Sequence, residues 1–163
     1  MADSPGTDPG LEQHIAEVHR RVGRNVIRVQ RLEGALKALV PYLDIQGAAH
    51  CLDGLDERAA RTANQTLGQL IRSFRNSFTS ESLEMRRELE TILAGRNELI
   101  HQFHKTYGPL WRDHNGRGAI VAKLDAQFEQ VTKFEQVLLD LIVQLLRIFR
   151  DCQDSDSEAF QAF

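Results

Sequence analysis

The feature that most constrains the fold of this chain is an apolar repeat in its C-terminal third. Leucine or valine recurs every seven residues, at Leu124, Val131, Leu138 and Leu145. A seven-residue spacing returns each side chain to the same face of an α-helix, whereas a half-buried strand alternates at every second residue. The repeat therefore predicts one very long helix over residues 119–150.

Three further segments carry apolar residues at helical spacing. Apolar positions three, four or seven apart predict a first long helix that begins at Pro9, with Asp8 as its N-cap, and ends at Pro41. A second apolar stripe covers residues 67–78, and a third covers residues 85–107. Each stripe marks the buried face of one helix.

The remaining segments are rich in glycine or in polar residues. We expect residues 41–61 to form a loop that can hold one short helical turn, and residues 108–118 to form a second loop. Polar residues 1–8 and acidic residues 151–163 are expected to be disordered tails. No segment alternates as a strand would. The predicted fold is therefore all-α, a bundle of four main helices over residues 9–150 with disordered polar tails.

Composition and charge narrow the class of protein. The net charge is −3 and the sequence pI is about 6.1, which argues against a nucleic-acid binder held by bulk charge but allows a local basic site. Cys51 and Cys152 match no metal or redox spacing and indicate a reducing, cytoplasmic setting. The first ten residues lack the regions of a signal peptide, and polar residues interrupt the most apolar run. We therefore expect no membrane association.

The segment RNELIH, residues 96–101, interrupts the apolar stripe of the third helix. At 100° per residue, Arg96 lies in the middle of that stripe. The apolar residues within about 40° of it are Met85, Leu89, Ile92, Ile100, Phe103 and Tyr107. A charge in such a place is costly to bury without a partner, so Arg96 either snorkels to the surface or serves a site.

Three polar side chains flank the same stripe. Asn97, His101 and His104 follow one another by four and three residues, which places them along one edge of the helix. If two such helices met across a two-fold axis, two arginines and two histidines would share one cleft. The sustained apolar stripes on the long helices favour such a homodimer over a monomer.

The segment LAGRNELIHQF resembles the Arg-Asn-x3-His motif of HEPN domains, all-helical domains found in many prokaryotic RNase toxins and defence proteins. The resemblance implies a metal-independent endoribonuclease without a cofactor, whose motif helices pair at a dimer cleft. By this resemblance, Arg96 would hold the scissile phosphate, His101 would be the acid–base residue, and Asn97 would orient them. It also implies a toxin or phage-defence effector that acts on RNA and has an antitoxin or another regulatory protein as its partner.

One branch of that family, the HepT-like toxins, carries a tyrosine two residues after the histidine, and a nucleotidyltransferase antitoxin modifies it. Phe103 occupies that position in this chain, so the resemblance does not extend to that form of regulation. Tyr107 lies one turn further along and is the remaining candidate for such a modification.

The residue types of the motif suit RNA cleavage in their own right. A 2′-OH can attack the adjacent phosphate when a base, an acid and a cation are present, which leaves a 2′,3′-cyclic phosphate. Histidine titrates at about pH 6.5 and serves in either proton role. Arginine stays charged and grips phosphate with two nitrogens.

Residues downstream of the motif are candidates for substrate binding. His104 lies on the same helix edge, and Lys105, Arg112 and Arg117 place positive charge around the predicted second loop. Trp111 in that loop can stack on a base or act as a packing wedge. These five residues form the predicted RNA-binding set.

Metal sites are the first alternative for the same residues. Glu98-x-x-His101 matches one element of a di-iron bundle, but the chain holds no second copy of it. His101 and His104, with Asp113 or His114, form a loosely defined set of ligands for a transition metal. We predict that the protein has no metal site.

Two further alternatives remain. Arg20, Arg24, Arg28 and Arg31 form a stripe on the first helix, which is either a solvated polar face or a surface that follows RNA phosphates. The alternative to the nuclease is a non-catalytic helical dimer that serves as a binding or scaffold module. In a nuclease, Arg96 should line an open cleft. In a scaffold, Arg96 should instead pair with a carboxylate or be covered by packing.

Overall fold

The computed structural model describes residues 9–43, 54–77, 83–112 and 114–161. These residues are helical almost throughout and contain no strand, which confirms the predicted all-α bundle of four main helices. The elements are α1 (Pro9–Leu43), α2 (Leu55–Ala63), α3 (Leu67–Asn76), α4 (Leu83–Asn97), a π-helical turn (Glu98–Gln102), α5 (Phe103–Tyr107), a 3-10 turn (Gly108–Arg112) and α6 (His114–Gln161). The four main helices are α1, α3, α4 and α6.

The helix α1 begins at Pro9 as predicted, but it passes Pro41 and ends at Leu43. Proline has no backbone N–H, so Pro41 cannot donate to the carbonyl oxygen of Lys37 as a helical residue would, and only two residues of α1 follow it. The carbonyl oxygen of Pro41 accepts a hydrogen bond from Nε of Arg58 at 2.9 Å. The prediction that Pro41 ends the helix was therefore wrong. The predicted N-cap, Asp8, lies outside the described residues.

Part of the predicted loop 41–61 is the helix α2. It follows Gly54, whose φ of 69° lies in the left-handed region that favours glycine. Asp56 and Glu57 in its first turn interact favourably with the positive end of the helix dipole. The prediction had allowed one short helical turn there, whereas α2 has nine residues.

The helix α3 starts with a reciprocal cap. The backbone N–H of Thr66 donates to the side-chain oxygen of Gln69 at 2.8 Å, and the Thr66 hydroxyl accepts from the Gln69 backbone at 3.4 Å. Its buried residues follow helical spacing, at Leu67, Leu70, Ile71 and Phe74. The predicted end of this stripe, at residue 78, lies outside the described residues.

The helix α6 is longer than predicted at both ends. It starts at His114, because residues 108–112 form a 3-10 turn where the sequence predicted an open loop. Gly116 is required there, since a Cβ would lie 2.6 Å from the backbone oxygen of Leu110. The backbone stays helical to Gln161, whereas a disordered tail was predicted from residue 151. No glycine or proline follows Gly118 to interrupt it.

The chain forms two compact units, each made of separated segments. The first unit comprises residues 1–30 and 87–132, and the second comprises residues 31–86 and 133–163. A buried cluster in the first unit consists of Val18, Leu99, Tyr107, Ile120 and Leu124. Fully buried side chains of the second unit include Leu32, Leu36, Leu70, Phe74 and Leu138.

The first unit contains the whole RNELIH segment. Of the two predicted disordered tails, only residues 151–161 are described. Residues 1–8, predicted as a disordered tail, lie outside the described residues. Over the residues that the structure describes, no helix combines the length and apolar character needed to cross a membrane.

Candidate functional site

A π-helical turn shapes the predicted motif. In a regular α-helix, Arg96 and His101 would lie about 140° apart around the axis. Residues 98–102 instead form a π-helical turn, whose wider hydrogen-bonding pattern brings residues five apart towards one face. The turn ends at Gln102, whose φ of −128° and ψ of 6° depart from helical values. Nη1 of Arg96 and Nε2 of His101 lie 3.4 Å apart.

Asn97 joins this pair. Its side-chain oxygen accepts a hydrogen bond from Nη1 of Arg96 at 3.0 Å. Arg96 and Asn97 are half-buried, whereas His101 is exposed. The structure thus brings the three predicted catalytic residues into direct contact. Within the described part of the chain, Arg96 forms no ion pair with a carboxylate.

The π-helical turn also changes which residues of the predicted apolar stripe are buried. Ile100 was expected on the buried face, but 46% of it is exposed. Leu99, also expected on the apolar stripe, is 5% exposed and belongs to the buried cluster. The extra residue in the wide turn shifts which side chain faces the core, and Ile100 is left at the surface beside His101.

Neighbouring helices hold this segment in place. The buried amide of Asn25 donates to the side-chain oxygen of Gln127 at 3.0 Å and to the carbonyl oxygen of Leu124 at 2.8 Å. Gly95 permits the close approach of α4, because a Cβ there would lie 2.5 Å from Nε2 of Gln127. These contacts position α1 and α6 of the first unit against the residue that precedes Arg96.

A second anchor acts on the π-helical turn itself. Nζ of Lys123 donates to a carboxylate oxygen of Glu98 at 2.6 Å and lies 5.1 Å from the ring centroid of Tyr107. The hydrogen bond to Glu98 is the main reason that the pKa of Lys123 is raised. Burial raises the pKa of Tyr107, and the charge of Glu98 adds to the rise while Lys123 opposes it. Glu98 is thus engaged by Lys123 in a structural ion pair.

Three of the five predicted substrate-binding residues line one pocket of about 530 Å³. They are His104 on α5, Trp111 in the 3-10 turn and Arg117 near the start of α6. Lys105 is exposed on α5 and does not line this pocket. The side chain of Arg112 lies outside the described residues.

The pocket also contains residues that sequence reasoning missed. Leu11, Ile15 and His19 come from the start of α1, and Gly108 completes the wall. The α1 residues are far from the motif in the chain, so no local spacing could have indicated them. Helical periodicity placed Ile15 on the inner face of α1, but the partner of that face was not predictable.

The arginine stripe on α1 is largely paired. Arg20 contacts Glu17 at 2.8 Å, Arg24 contacts Asp125 at 2.7 Å, and Arg31 contacts Glu135 at 3.0 Å. The guanidinium carbons of Arg24 and Arg28 also lie 4.0 and 5.0 Å from the ring centroid of Phe128. These contacts favour a structural, solvated face over a surface that follows RNA phosphates.

The described residues contain no group of three histidine, cysteine, aspartate or glutamate side chains suited to hold a metal ion. Two possible ligands from the transition-metal alternative, Asp113 and the His114 side chain, lie outside this described set.

The chain matches no protein-family model, no curated protein and no solved structure.

Proposed function

We propose that this protein is a metal-independent endoribonuclease of the HEPN type that acts as a homodimer. The observation that carries the proposal is the 3.4 Å contact between the Arg96 guanidinium and the His101 imidazole. A cation that no carboxylate neutralises within the described residues stands next to an exposed group that can carry a proton. This pair matches what an internal phosphoryl transfer requires.

The proposed reaction needs no outside nucleophile. The 2′-oxygen of a ribose attacks the adjacent phosphorus as it loses its proton to a base. The bond from phosphorus to the 5′-oxygen breaks, and an acid protonates that oxygen. The products are a 2′,3′-cyclic phosphate and a 5′-hydroxyl. Arg96 binds the phosphoryl oxygens throughout, and Asn97 holds the guanidinium through its 3.0 Å hydrogen bond.

The need for both a base and an acid supports a dimer. One protomer contributes one His101, so a cleft across a two-fold axis would supply two imidazoles. Ile100 is exposed next to that histidine and would be covered by the partner in such a cleft. The toxin or phage-defence role, with a regulatory partner protein, follows from the family resemblance of the motif and is part of the same proposal.

The test is cleavage of mixed single-stranded RNA and tRNA by the purified protein in EDTA, with analysis of the new ends. His101→Ala should lower the rate by about 10²–10⁴-fold, the usual contribution of one acid–base group. Arg96→Lys should also fail, because an ammonium cannot reproduce the two-pronged grip. Arg87→Lys, an exposed arginine on the same helix, is the matched control and should cleave like wild type.

Circular dichroism should show the same helix content in all variants. Equal cleavage by wild type and His101→Ala would overturn the nuclease assignment. Cleavage that EDTA abolishes would keep a nuclease but reject this mechanism. A wild-type protein that cleaves no RNA in the set while forming the dimer would favour the scaffold alternative.

A further inference from the structure

We propose that the pocket beside the motif is a nucleotide subsite, which binds the base and phosphate of the RNA nucleotide next to the cleaved bond. The inference rests on the proposed function, since it assigns RNA as the ligand. It is carried by the pocket's composition, its size and its distance along the chain from His101.

The pocket has the composition of a site for a flat ring that carries an anion. Leu11 and Ile15 supply an apolar wall, and Trp111 supplies an aromatic one. His19, His104 and Arg117 are its polar residues, and no carboxylate is among its described lining residues. Arg117 forms no ion pair within the described part of the chain. An anionic ligand would therefore meet the Arg117 guanidinium with no competing carboxylate among the described lining residues.

Trp111 is held as a fixed surface. Its ring packs against the buried cluster and lies 6.3 Å from Phe103, edge to face, with an interplanar angle of 76°. On another side His19 lies 6.1 Å away at an angle of 59°. A ring fixed in this way loses little conformational freedom when a base stacks on it. Trp111 thus serves both as a packing wedge and as a pocket wall.

The pocket's place in the chain connects it to the motif. His104, on α5, follows His101 of the π-helical turn by three residues. Both residues belong to the first unit, as do all the described lining residues of the pocket. This closeness in the chain suits a subsite for the nucleotide that neighbours the scissile phosphate. A volume of about 530 Å³ falls in the range of small-ligand pockets.

Gly108 is a position in the pocket lining where a larger side chain can be introduced without backbone strain. Its φ of −50° and ψ of −45° are ordinary helical values, and a Cβ there would meet nothing within 4 Å. A Cβ there has open space, and Gly108 is part of the pocket lining. We therefore expect Gly108→Leu to take up part of the ligand's space without straining the backbone.

The test uses the full chain and the fluorescence of its single tryptophan, Trp111, excited at a wavelength that nucleotides do not absorb. Adenosine, guanosine, cytidine and uridine monophosphates should change the fluorescence saturably, whereas ribose 5-phosphate and inorganic phosphate should not. Arg117→Ala should weaken binding roughly tenfold, as expected for a lost charged contact. Gly108→Leu should abolish it, and Arg87→Lys, a change at an exposed arginine of α4, should leave it unchanged.

The outcomes separate the subsite from the nuclease. A saturable response by a protein that cleaves no RNA would retain the subsite and reject the nuclease. Cleavage of RNA with no response to any monophosphate, and with wild-type activity in Gly108→Leu, would reject the subsite alone. An equal response to ribose 5-phosphate would show that the pocket binds anions without recognising a base, and would overturn the proposal. Thermal melting of both variants checks that they fold.

Discussion

Single residues around Arg96 determine what the motif can do. Nη1 of Arg96 contacts both Asn97 and His101, so one guanidinium nitrogen links the three side chains. Asn97 differs from an aspartate only in charge, and it leaves the cation free for phosphate. This neutral partner is the residue-scale reason why the site suits an anionic substrate.

Changing Asn97 to aspartate should therefore abolish the positive site without changing its shape. The carboxylate would pair with Arg96 and repel the substrate phosphate, and we expect RNA cleavage to fall by about 10²-fold or more. Asn97→Ala should be less harmful at saturating RNA, because the cation stays free. Comparison of kcat and KM for the two variants checks this, and equal activity of Asn97→Asp and wild type would contradict it.

Whether a nucleotide can be attached covalently at this site depends on two residues, Phe103 and Tyr107. Phe103 lacks a hydroxyl, and Tyr107 is 2% exposed with its ring beside Lys123. We predict that co-expression with a neighbouring nucleotidyltransferase leaves no nucleotide on either residue. Intact-protein and peptide mass spectrometry would detect one, and an adduct on Tyr107 would contradict this prediction. A partner that binds directly is the expected alternative.

Within the first unit, an ion pair between Arg21 of α1 and Asp125 of α6 joins the two helices, although these residues are 104 apart in the chain. Asp125 accepts hydrogen bonds from Arg21 at 3.0 Å and from Arg24 at 2.7 Å. The hydrogen bond from Arg24 is the largest cause of the lowered pKa of Asp125. These carboxylate contacts fix the register of the two helices that flank the motif.

The lowered pKa of Asp125 makes this contribution depend on pH. A carboxylate with a lower pKa in the folded state stabilises the fold above its unfolded pKa of about 4, and the effect is lost as pH falls through the folded pKa. Asp125→Asn should cost up to about 1 kcal/mol at pH 7, because the pair is partly exposed. The cost should shrink at a strongly acidic pH, below the folded pKa of this carboxyl group.

Urea unfolding at both pH values measures the difference. Glu129→Gln, an exposed carboxylate on the same helix, is the matched control and should show neither effect. An Asp125→Asn cost that is the same at both pH values would contradict the ion-pair explanation.

Both units of the molecule expose large apolar side chains. Ile27 and Ile100 are exposed on the first unit. On the second unit the exposed apolar residues of α6 are Val137, Leu139, Val143, Leu146 and Ile148. The proposed catalytic dimer uses the surface around Ile100, because Ile100 directly precedes His101 in the chain.

Two matched substitutions distinguish these surfaces. Ile100→Glu should convert the dimer to a monomer and abolish cleavage, since it places a buried charge in the proposed interface. Ile148→Glu changes the same residue type at similar exposure, 56% against 46%, and should change neither property. Light scattering at micromolar concentration measures the oligomeric state of both variants, and the RNA assay measures their cleavage. A monomeric wild type, or a dimer lost only with Ile148→Glu, would contradict the proposed cleft.

The sequence by itself determined the four main helices, the spacing of their apolar residues and the motif. The heptad repeat predicted α6, and Pro9 marked the start of α1, because helix spacing and end signals are written within one segment. The sequence also placed Arg96, Asn97 and His101 close together in the chain. It did not predict the π-helical turn, which depends on backbone hydrogen bonding that residue spacing does not reveal.

Only the tertiary structure decided which distant residues meet. His19 reaches the pocket of Trp111, and Asp125 pairs with Arg24. Of the two neighbours that spacing placed on the buried face, Leu99 enters the core and Ile100 is exposed. These contacts join segments far apart in the chain, and their free energy depends on how whole helices pack. A one-residue change in helix register moves a side chain between core and surface. Local spacing therefore indicated the chemistry of the site, and packing decided its shape.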